Sequence, residues 1–294
     1  MTALGIGTAA VRKASARRNG RLPRGVLHLL LIAGAIFMSY PLLWMISSSL
    51  KPESEIFSST SLIPSQFKFS NYVDGWTALG VPFTGFYLNS LILCVAAVLG
   101  NIFSCSLAAY AFARLRFPLR GLFFTLMLGT IMLPFQATIV PQYIMFKSLG
   151  WVGTFLPVVV PKFLAVDTFF VFLMVQFIRS LPRELDDSAK IDGCGPYRLY
   201  FHVLLPLTVP ALATTAVFTF LWTWNDFFSQ LLYLGRSVQG YTVPVALSTF
   251  VDATSQSSWG QMMAMSFLSL LPIIGFFTVF QRLLMDGIST TGLK

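Results

Sequence analysis

Residues 181–196 read Leu181-Pro182-Arg183-Glu184-Leu185-Asp186-Asp187-Ser188-Ala189-Lys190-Ile191-Asp192-Gly193-Cys194-Gly195-Pro196, the longest strongly polar stretch between hydrophobic runs of the chain. Proline favours the first turn of a helix, and glycine favours the residue after its end. Pro182 therefore predicts a helix start, Gly193 a stop, and Pro196 a second start. We expect a short helix, a turn and another helix, exposed to water.

The sequence on either side of this stretch is typical of a membrane protein. Hydrophobic residues make up 55% of the chain, charged residues make up 11%, and the mean hydropathy is +0.74. Charged residues alone make up about 25% of an average soluble domain. Apolar runs of about 20 residues predict transmembrane helices. Such runs extend over Val26 to Ser49, Phe86 to Ala113, Gly121 to Phe146, Thr154 to Ile178, Leu204 to Leu234, and Met262 to Leu284.

The predicted fold class is an all-α polytopic membrane protein with six transmembrane helices. The transmembrane domain is expected over residues 26–285, between a basic N-terminal tail (residues 1–25) and a C-terminal tail (residues 286–294). Arg17-Arg18 and Ala33-Gly34-Ala35 are also typical of a cleavable signal peptide. Because the apolar run continues as far as Ile46, we predict an uncleaved anchor, with cleavage as the alternative.

The basic residues are distributed unevenly between the two predicted sides of the membrane. Of the 20 Lys and Arg residues, five lie on the side opposite the termini. These five are Lys51, Lys68, Lys147, Lys162 and Arg236. By the positive-inside rule, both termini and the polar stretch are predicted to be cytoplasmic. The net charge of +9 is therefore a topology signal, and no nucleic-acid partner is expected.

Polar residues inside two of the predicted spans are candidates for function. In the third span two prolines lie among polar residues, which predicts a segment that faces a cavity or another helix, because freed backbone groups need partners in lipid. These residues are Pro134, Gln136, Thr138, Pro141 and Gln142. Asp167 lies in the fourth span, where a carboxylate costs about 2.5–3.5 kcal/mol on insertion scales. Asp167 is therefore a candidate pathway residue, and the alternative is an outer-end carboxylate that pairs with Lys162.

The fifth span predicts a mixed polar and aromatic face. At helical spacing Thr215, Thr219, Trp222, Asp226 and Ser229 share one stripe, with Asn225 beside it. Aromatic planes combined with hydrogen-bonding side chains are typical of sugar sites. The candidate substrate pathway therefore includes Trp222, Asn225, Asp226 and Ser229. The alternative is an interfacial aromatic belt, with Asp226 capping a helix contact.

The spacing of the polar stretch carries a resemblance to a known family. Asp187-Ser188-Ala189, three residues, Gly193, nine residues and then Val203-Leu204-Leu205-Pro206 resemble the cytoplasmic motif of ABC importer permeases of the carbohydrate-uptake type. That motif is Glu-Ala-Ala, three residues, Gly, nine residues, Ile, one residue and Leu-Pro. The departures are Asp187 for Glu, Ser188 for Ala and Val203 for Ile. The chain is similar to the smaller permease of maltose systems.

The resemblance implies the fold of a type I importer permease, with a cytoplasmic coupling helix between the fourth and fifth spans. We refer to residues 180–203 as the coupling loop. The residues that it implies for ATPase coupling are Glu184, Asp186, Asp187, Ser188, Ala189, Lys190, Asp192, Gly193, Leu205 and Pro206. The implied partners are a second permease in a heterodimer, a dimer of ATP-binding cassette ATPases, and an extracytoplasmic sugar-binding protein. The implied location is the bacterial cytoplasmic (inner) membrane.

Simple electrostatics supports a helix in the coupling loop. Asp186 and Asp187 lie where a helix N-terminus favours negative charge, and Asp186 has the spacing to pair with Lys190. Ser188 and Ala189 are small enough to permit close contact with a partner. We therefore expect a rigid polar helix with a compact contact face.

The chain lacks the Gly-x-x-x-x-Gly-Lys-Ser/Thr loop that binds nucleotide phosphates. We expect no cofactor in this chain, with ATP and Mg²⁺ bound by the partner ATPases. An ion-coupled secondary transporter that uses Asp167 and Asp226 is the alternative, although such proteins normally contain internal repeats. His28 and His202 are isolated in the sequence, so neither a catalytic residue nor a metal site is expected.

Overall fold

The computed structural model describes residues 24–251 and 258–291, with the backbone alone for residue 24 and residues 284–291. The predicted N-terminal tail and the last three residues of the predicted C-terminal tail therefore lie outside the description, apart from residues 24 and 25. The α-helices are α1 (Arg24–Ser49), α2 (Glu53–Ile56), α3 (Ser70–Thr77), α4 (Phe83–Arg114), α5 (Arg120–Thr130), α6 (Phe135–Ser148), α7 (Leu156–Val159), α8 (Thr168–Ser180), α9 (Glu184–Ile191), α10 (Pro196–Arg198), α11 (Leu205–Leu207), α12 (Val209–Asn225), α13 (Phe228–Leu234), α14 (Val243–Ser248) and α15 (Trp259–Thr291).

Three short segments complete the helical structure. A 3₁₀ turn, Val160–Leu164, continues α7, and a π-helical turn, Leu199–Leu204, continues α10. A second 3₁₀ turn, Val238–Gly240, precedes α14. Internal contacts divide the chain into a unit that ends at Trp44 and a unit that begins at Met45. All the packing described below belongs to the second unit.

The described residues contain four candidate membrane spans, or six if each of two bent helix pairs forms one span, and the sequence predicts six. Among the described residues, four helical segments are long and apolar enough to cross a bilayer: Gly25–Ser49, Phe83–Arg114, Leu156–Ser180 and Trp259–Leu283. Two bent pairs of helices are broken spans or re-entrant segments. Arg120–Thr130 and Phe135–Ser148 meet at 101°, and Pro196–Leu207 and Val209–Asn225 meet at 74°.

Helix α4 is the continuous element against which the others pack. Its 32 residues extend for about 48 Å, more than the roughly 30 Å of a hydrocarbon core. The helix ends at Arg114, and Leu115 is extended, two residues before Phe117-Pro118. Small buried residues occur along α4, including Ala97, Gly100 and Ala109, and α4 contacts α8, α12 and the 3₁₀ turn Val160–Leu164. Small side chains let membrane helices approach closely, so α4 packs tightly against several segments.

The prediction of continuous helices for the third and fifth spans is wrong. In the third span the helix stops at Thr130 and restarts at Phe135, after Pro134 in an extended conformation. In the fifth span α12 ends at Asn225, and Asp226 is extended before α13 begins. The fourth span also breaks, because Ala165 adopts a left-handed conformation with φ of 54°. Three successive spans are therefore interrupted.

The connection between α1 and α4 packs on the start of α15. Both carboxylate oxygens of Glu53 accept hydrogen bonds there, from the backbone N–H of Trp259 at 2.7 Å and of Gly260 at 3.1 Å. Lys51 is fully buried, and its Nζ donates to the carbonyl oxygen of Ser61 at 2.6 Å. The carboxylate of Glu53 thus satisfies donors that the first turn of a helix leaves free.

Replacing Gly100 by alanine tests the close packing of α4. A Cβ atom at residue 100 would lie 2.8 Å from the ring of Phe163 and 3.0 Å from the carbonyl carbon of Lys162. We expect Gly100→Ala to lower the free energy of unfolding by about 1–3 kcal/mol, the usual cost of overpacking. Thermal unfolding of the purified chain measures the change. Gly129→Ala is the matched control, because its Cβ has no heavy atom within 4 Å. Equal melting temperatures for the two variants would contradict the close packing.

Candidate functional site

The three interrupted spans meet at one cavity, which we call the break cavity. Its volume is about 520 Å³, within the roughly 300–1,000 Å³ range of small-molecule sites. One residue from each break lines it: Phe135 after the break in the third span, Asp167 before α8, and Asp226 after α12. Irregular backbone at membrane depth is tolerated where it lines a cavity or is buried in protein. The break cavity is therefore the strongest candidate for a site within the membrane.

Asp167 is the centre of a polar network at one end of the break cavity. Its Oδ2 atom accepts a hydrogen bond from Lys162 Nζ at 2.7 Å and another from Asn101 Nδ2 at 2.6 Å. Asn101 also donates to Thr219 Oγ1 at 3.0 Å. The network joins four elements: α4, the 3₁₀ turn Val160–Leu164, the residue before α8, and α12. The pairing with Lys162 is the alternative that the sequence left open, and it coexists with a location on the cavity wall.

Asp226 supplies a second carboxylate to the same cavity. Its Oδ1 atom accepts a hydrogen bond from the backbone N–H of Ser229 at 3.1 Å, in the first turn of α13. Both Asp226 and Ser229 line the break cavity. The structure therefore brings together three of the predicted pathway residues, Asp167, Asp226 and Ser229. It also gives Asp226 the capping role that the alternative interpretation assigned to it.

The remaining wall of the break cavity is mostly aromatic and aliphatic. Phe146 and Trp151 stack with ring centroids 5.7 Å apart, and Tyr233 meets Phe146 edge-on at 5.4 Å. Tyr233 is only 3% exposed, and its hydroxyl has no hydrogen-bond partner within the described part of the chain. Buried hydroxyls normally have a partner, so this one requires an explanation. Sequence reasoning missed these three aromatic residues, because Tyr233 is far along the chain from Phe146 and Trp151 and only the fold brings it beside them.

Trp222 and Asn225 do not line the break cavity, and the predicted stripe along the fifth span is wrong. Because α12 ends at Asn225, helical spacing cannot extend from Thr219 to Asp226 and Ser229. Trp222 is half exposed and packs on Phe169 and Phe170 instead. The side chain of Asn225 donates to the carbonyl oxygen of Leu221 in its own helix, at 2.8 Å.

The coupling loop is tied to α4 by a buried ion pair. Arg114 Nε lies 3.2 Å from Asp186 Oδ2, and the Arg114 side chain is only 3% exposed. Arg114 also donates from Nη2 to the carbonyl oxygen of Leu181 at 2.9 Å, at the end of α8. One arginine thus fixes the position of α9 relative to α4 and α8. In sequence Arg114 is one of several basic residues at a predicted cytoplasmic turn, and nothing distinguishes it from Arg116.

The predicted pairing of Asp186 with Lys190 is wrong. Asp186 is buried against Arg114, whereas Lys190 Nζ pairs with Asp187 Oδ1 at 3.0 Å on the exposed face of α9. The helix orientation decides this difference, because Asp186 is turned towards Arg114 of α4 while Lys190 lies on the exposed face. Arg114, Arg116, Arg183, Asp186, Asp187 and Lys190 line a charged hollow of about 500 Å³ beside the helix.

The predicted helix, turn and second helix of the coupling loop are confirmed. Helix α9 ends at Ile191, and Gly193 follows with φ of +76°, a conformation that glycine adopts without strain. The N–H of Cys194 donates to the carbonyl oxygen of Ala189 at 2.9 Å, which closes the end of the helix. Pro196 then begins α10.

The predicted coupling residues divide between an exposed face and a buried one. Exposed are Glu184, Asp187, Ser188, Lys190, Asp192, Gly193 and Pro206, while Leu205 is half-buried. Asp186 and Ala189 are buried, and Ala189 packs into this chain's own core with Tyr110 and Tyr200. The expectation that Ala189 presents its surface to a partner is therefore wrong for this conformation of the chain.

Two apolar residues on the coupling loop were missed by sequence reasoning. Ile191 is 87% exposed and Tyr197 is 80% exposed, on either side of the turn at Gly193. Large apolar side chains exposed in a polar segment mark an interaction surface when they are grouped. The signal available in the sequence was an isoleucine and a tyrosine next to the glycine turn.

No group of three or more His, Cys, Asp and Glu side chains suited to a metal ion occurs among the described residues.

Comparisons with known proteins agree on one family. Residues 100–289 match the family described as binding-protein-dependent transport system inner membrane component. The arabinooligosaccharides transport system permease protein AraQ of Halalkalibacterium halodurans is 33% identical over 276 residues, covering 92% of this chain and 97% of that protein. The diacetylchitobiose uptake system permease protein NgcG of Streptomyces coelicolor is 31% identical over 278 residues, covering 90% of this chain and 87% of that protein.

The fold is also similar to a solved structure. A chain in the crystal structure of a bacterial ABC transporter involved in the import of the acidic polysaccharide alginate superposes with a TM-score of 0.76. The match covers 92% of this chain and 99% of that chain, at 23% sequence identity. The fold is therefore that of an ABC importer permease.

Replacing Arg114 by glutamine tests the buried ion pair. We expect Arg114→Gln to lower the free energy of unfolding by about 3–5 kcal/mol, because it leaves the Asp186 carboxylate buried without its charged partner. Denaturant unfolding of the purified chain, followed by tryptophan fluorescence, measures the loss. Lys190→Gln is the control, since it breaks an exposed pair worth about 0.2–1 kcal/mol. Similar small losses in both variants would contradict a structural role for Arg114.

Proposed function

The chain belongs to the binding-protein-dependent transport system inner membrane components, and from this premise we propose that it is one of two permease subunits in an ATP-driven sugar importer. It forms the membrane pathway with a second permease in a heterodimer. An extracytoplasmic binding protein delivers a mono- or oligosaccharide to this pathway. Two ATP-binding cassette ATPases supply the energy, together with the Mg²⁺ that ATP hydrolysis requires.

The observation that carries the proposal is the contact surface of the coupling loop. Ile191 and Tyr197 extend from a turn whose neighbouring exposed residues include Asp187 and Asp192. Apolar side chains surrounded by charged ones suit a protein partner better than lipid or water. Since the chain carries no phosphate-binding loop of its own, an ATPase is the partner that an energy-coupled permease requires.

The geometry supports a direct mechanical route from this surface to the break cavity. A displacement of α9 acts on Arg114 through the buried contact with Asp186. Asn101 lies on the same unbroken helix, about 20 Å away at the helical rise of about 1.5 Å per residue. Asn101 in turn contacts Asp167 at the cavity. Movement of the coupling loop would therefore shift one wall of the cavity relative to the others.

The chain is proposed to lie in the bacterial cytoplasmic membrane, with both termini and the coupling loop on the cytoplasmic side. The distribution of basic residues supports this orientation. The ion-coupled alternative receives less support, because Asp167 is already paired with Lys162 and would have to exchange that partner to carry a proton or an ion.

Replacing Gly193 by valine tests the coupling assignment. A β-branched residue is strained at φ of +76°, whereas its Cβ would meet no heavy atom of this chain within 4 Å. We expect Gly193→Val to insert into the membrane at the normal level and to lower ATP-dependent uptake by at least tenfold. Uptake of labelled sugar by cells that contain the complete importer measures this loss.

Two further variants make the Gly193 experiment specific. Gly195→Ala is the matched control, because residue 195 has an ordinary φ of −72° and open space around its Cβ. Gly193→Asn tolerates the left-handed conformation and should retain more uptake than Gly193→Val. Unchanged uptake in Gly193→Val would overturn the proposed coupling role.

A further inference from the structure

The charges that line the break cavity sum to a negative value. Lys162 contributes one positive charge, and Asp167 and Asp226 contribute two negative charges, so the formal charge of these lining residues is −1. The other lining residues are uncharged, and most of them are apolar. Apolar walls screen charge weakly, so the net negative charge acts strongly on a charged ligand that enters the cavity.

Lys162 is not available to neutralise an incoming anion. Its ammonium lies 2.7 Å from Asp167 Oδ2. The same oxygen accepts the 2.6 Å hydrogen bond from Asn101, which fixes the carboxylate beside Lys162. An anion would have to compete with Asp167 for Lys162 while also approaching the carboxylate of Asp226. Sites for phosphate or carboxylate groups are normally built with unpaired arginine or lysine, which the described cavity wall lacks.

The cavity does offer partners for hydroxyl groups. The described hydrogen bonds of the Asp226 carboxylate come from Ser229 alone, and they leave acceptor capacity for a ligand hydroxyl. Tyr233 lines the same wall, although its hydroxyl oxygen is itself buried from the cavity. Gln142 and Ser229 add further polar groups to the wall. Carboxylate acceptors and neutral hydroxyls together favour a ligand rich in O–H donors.

The apolar part of the wall suits the ring of such a ligand. Trp151 and Phe146 are stacked, with an interplanar angle of 16°, and both line the cavity with Tyr233. Aromatic planes cover apolar ring faces while polar groups at the rim fix the orientation. A cavity of about 520 Å³ has room for a small saccharide or for one part of a longer one.

We propose that the break cavity is a substrate-selecting site of this subunit, which admits uncharged, hydroxyl-rich sugars and rejects phosphorylated or uronic-acid sugars. The proposal rests on the proposed function as a sugar permease and names the substrate class of that pathway. Asp226 is the specificity-determining residue, because it supplies the uncompensated charge. Lys162 and Asp167 pair with each other on the cavity wall and do not form an anion-binding site.

Charge-selective labelling of the cavity tests the electrostatic part of the proposal. Ser229→Cys is made in the full chain after Cys94, Cys105 and Cys194 have been replaced by alanine, and the protein is placed in lipid nanodiscs. The rates of modification by a cationic and an anionic methanethiosulfonate reagent are then compared. We expect the cationic reagent to be favoured about tenfold more at residue 229 than at a control cysteine, the lower end of the effect of a charged cleft.

Two variants complete the labelling experiment. Ser248→Cys on α14 is the control, because Ser248 is exposed and lies outside the cavity. Adding Asp226→Asn to Ser229→Cys should remove most of the cationic preference, since the formal charge of the wall becomes zero. A cationic preference below twofold, or an anionic preference at residue 229, would overturn the proposal.

Uptake by the complete importer tests the substrate class and separates the two proposals. Cells that contain this chain with its own partners are offered labelled maltose, cellobiose, glycerol 3-phosphate and galacturonate. We expect ATP-dependent uptake of at least one uncharged sugar to exceed that of either anion by at least tenfold. Asp226→Lys should narrow that ratio, whereas the matched variant Asp74→Lys on α3, outside the cavity, should preserve it.

Absence of any chain-dependent uptake would overturn the proposed function itself. ATP-dependent uptake that favours an anion would overturn only the substrate class.

Discussion

Backbone groups that are freed inside a membrane must find partners within the protein, and the second unit of this chain is arranged around that constraint. Where the fourth span breaks, Ser104 of α4 donates to the carbonyl oxygen of Lys162 at 2.6 Å. Where the fifth span breaks, the side chain of Gln230 donates to the carbonyl oxygen of Thr223 at 2.6 Å. The interruptions are therefore built features with their own hydrogen bonds. At both of these breaks a side chain satisfies a carbonyl group beside the cavity.

Helix α4 connects the two functional regions because it remains unbroken where its neighbours are interrupted. Its buried face carries Asn101 towards the break cavity and Arg114 towards the coupling loop. Gly100 allows the backbone of Lys162 to approach the same helix, so the ion pair of Lys162 with Asp167 lies directly against it. A rigid helix with one polar contact near its middle and another at its end is suited to transmitting a displacement. A broken helix in that place would absorb the movement at its own hinge.

The charges of the two regions are used in different ways. At the coupling loop a buried ion pair fixes one face of α9, which leaves the acidic and apolar residues of the other face free for a partner. In the break cavity Lys162, the one cation of the described wall, is paired with Asp167 and does not bind ligand. Asp226 therefore makes the net charge of the wall negative. Such pairs contribute modestly to stability after desolvation is counted. Here their main effect is to determine which charges remain available.

The sequence by itself determined the membrane class, the all-helical fold, and the helix, turn and helix of the coupling loop. These features depend on composition, on runs of about 20 apolar residues, and on Pro182, Gly193 and Pro196, all of which act locally. It also identified Asp167 and Asp226 as unusual, because a carboxylate in an apolar run is costly wherever the helix faces. Only the tertiary structure decided that Asp186 pairs with Arg114, that Trp222 lies outside the cavity, and that Tyr233 lies inside it. Those outcomes depend on where helices break and how they turn towards one another, and contacts between distant residues fix both.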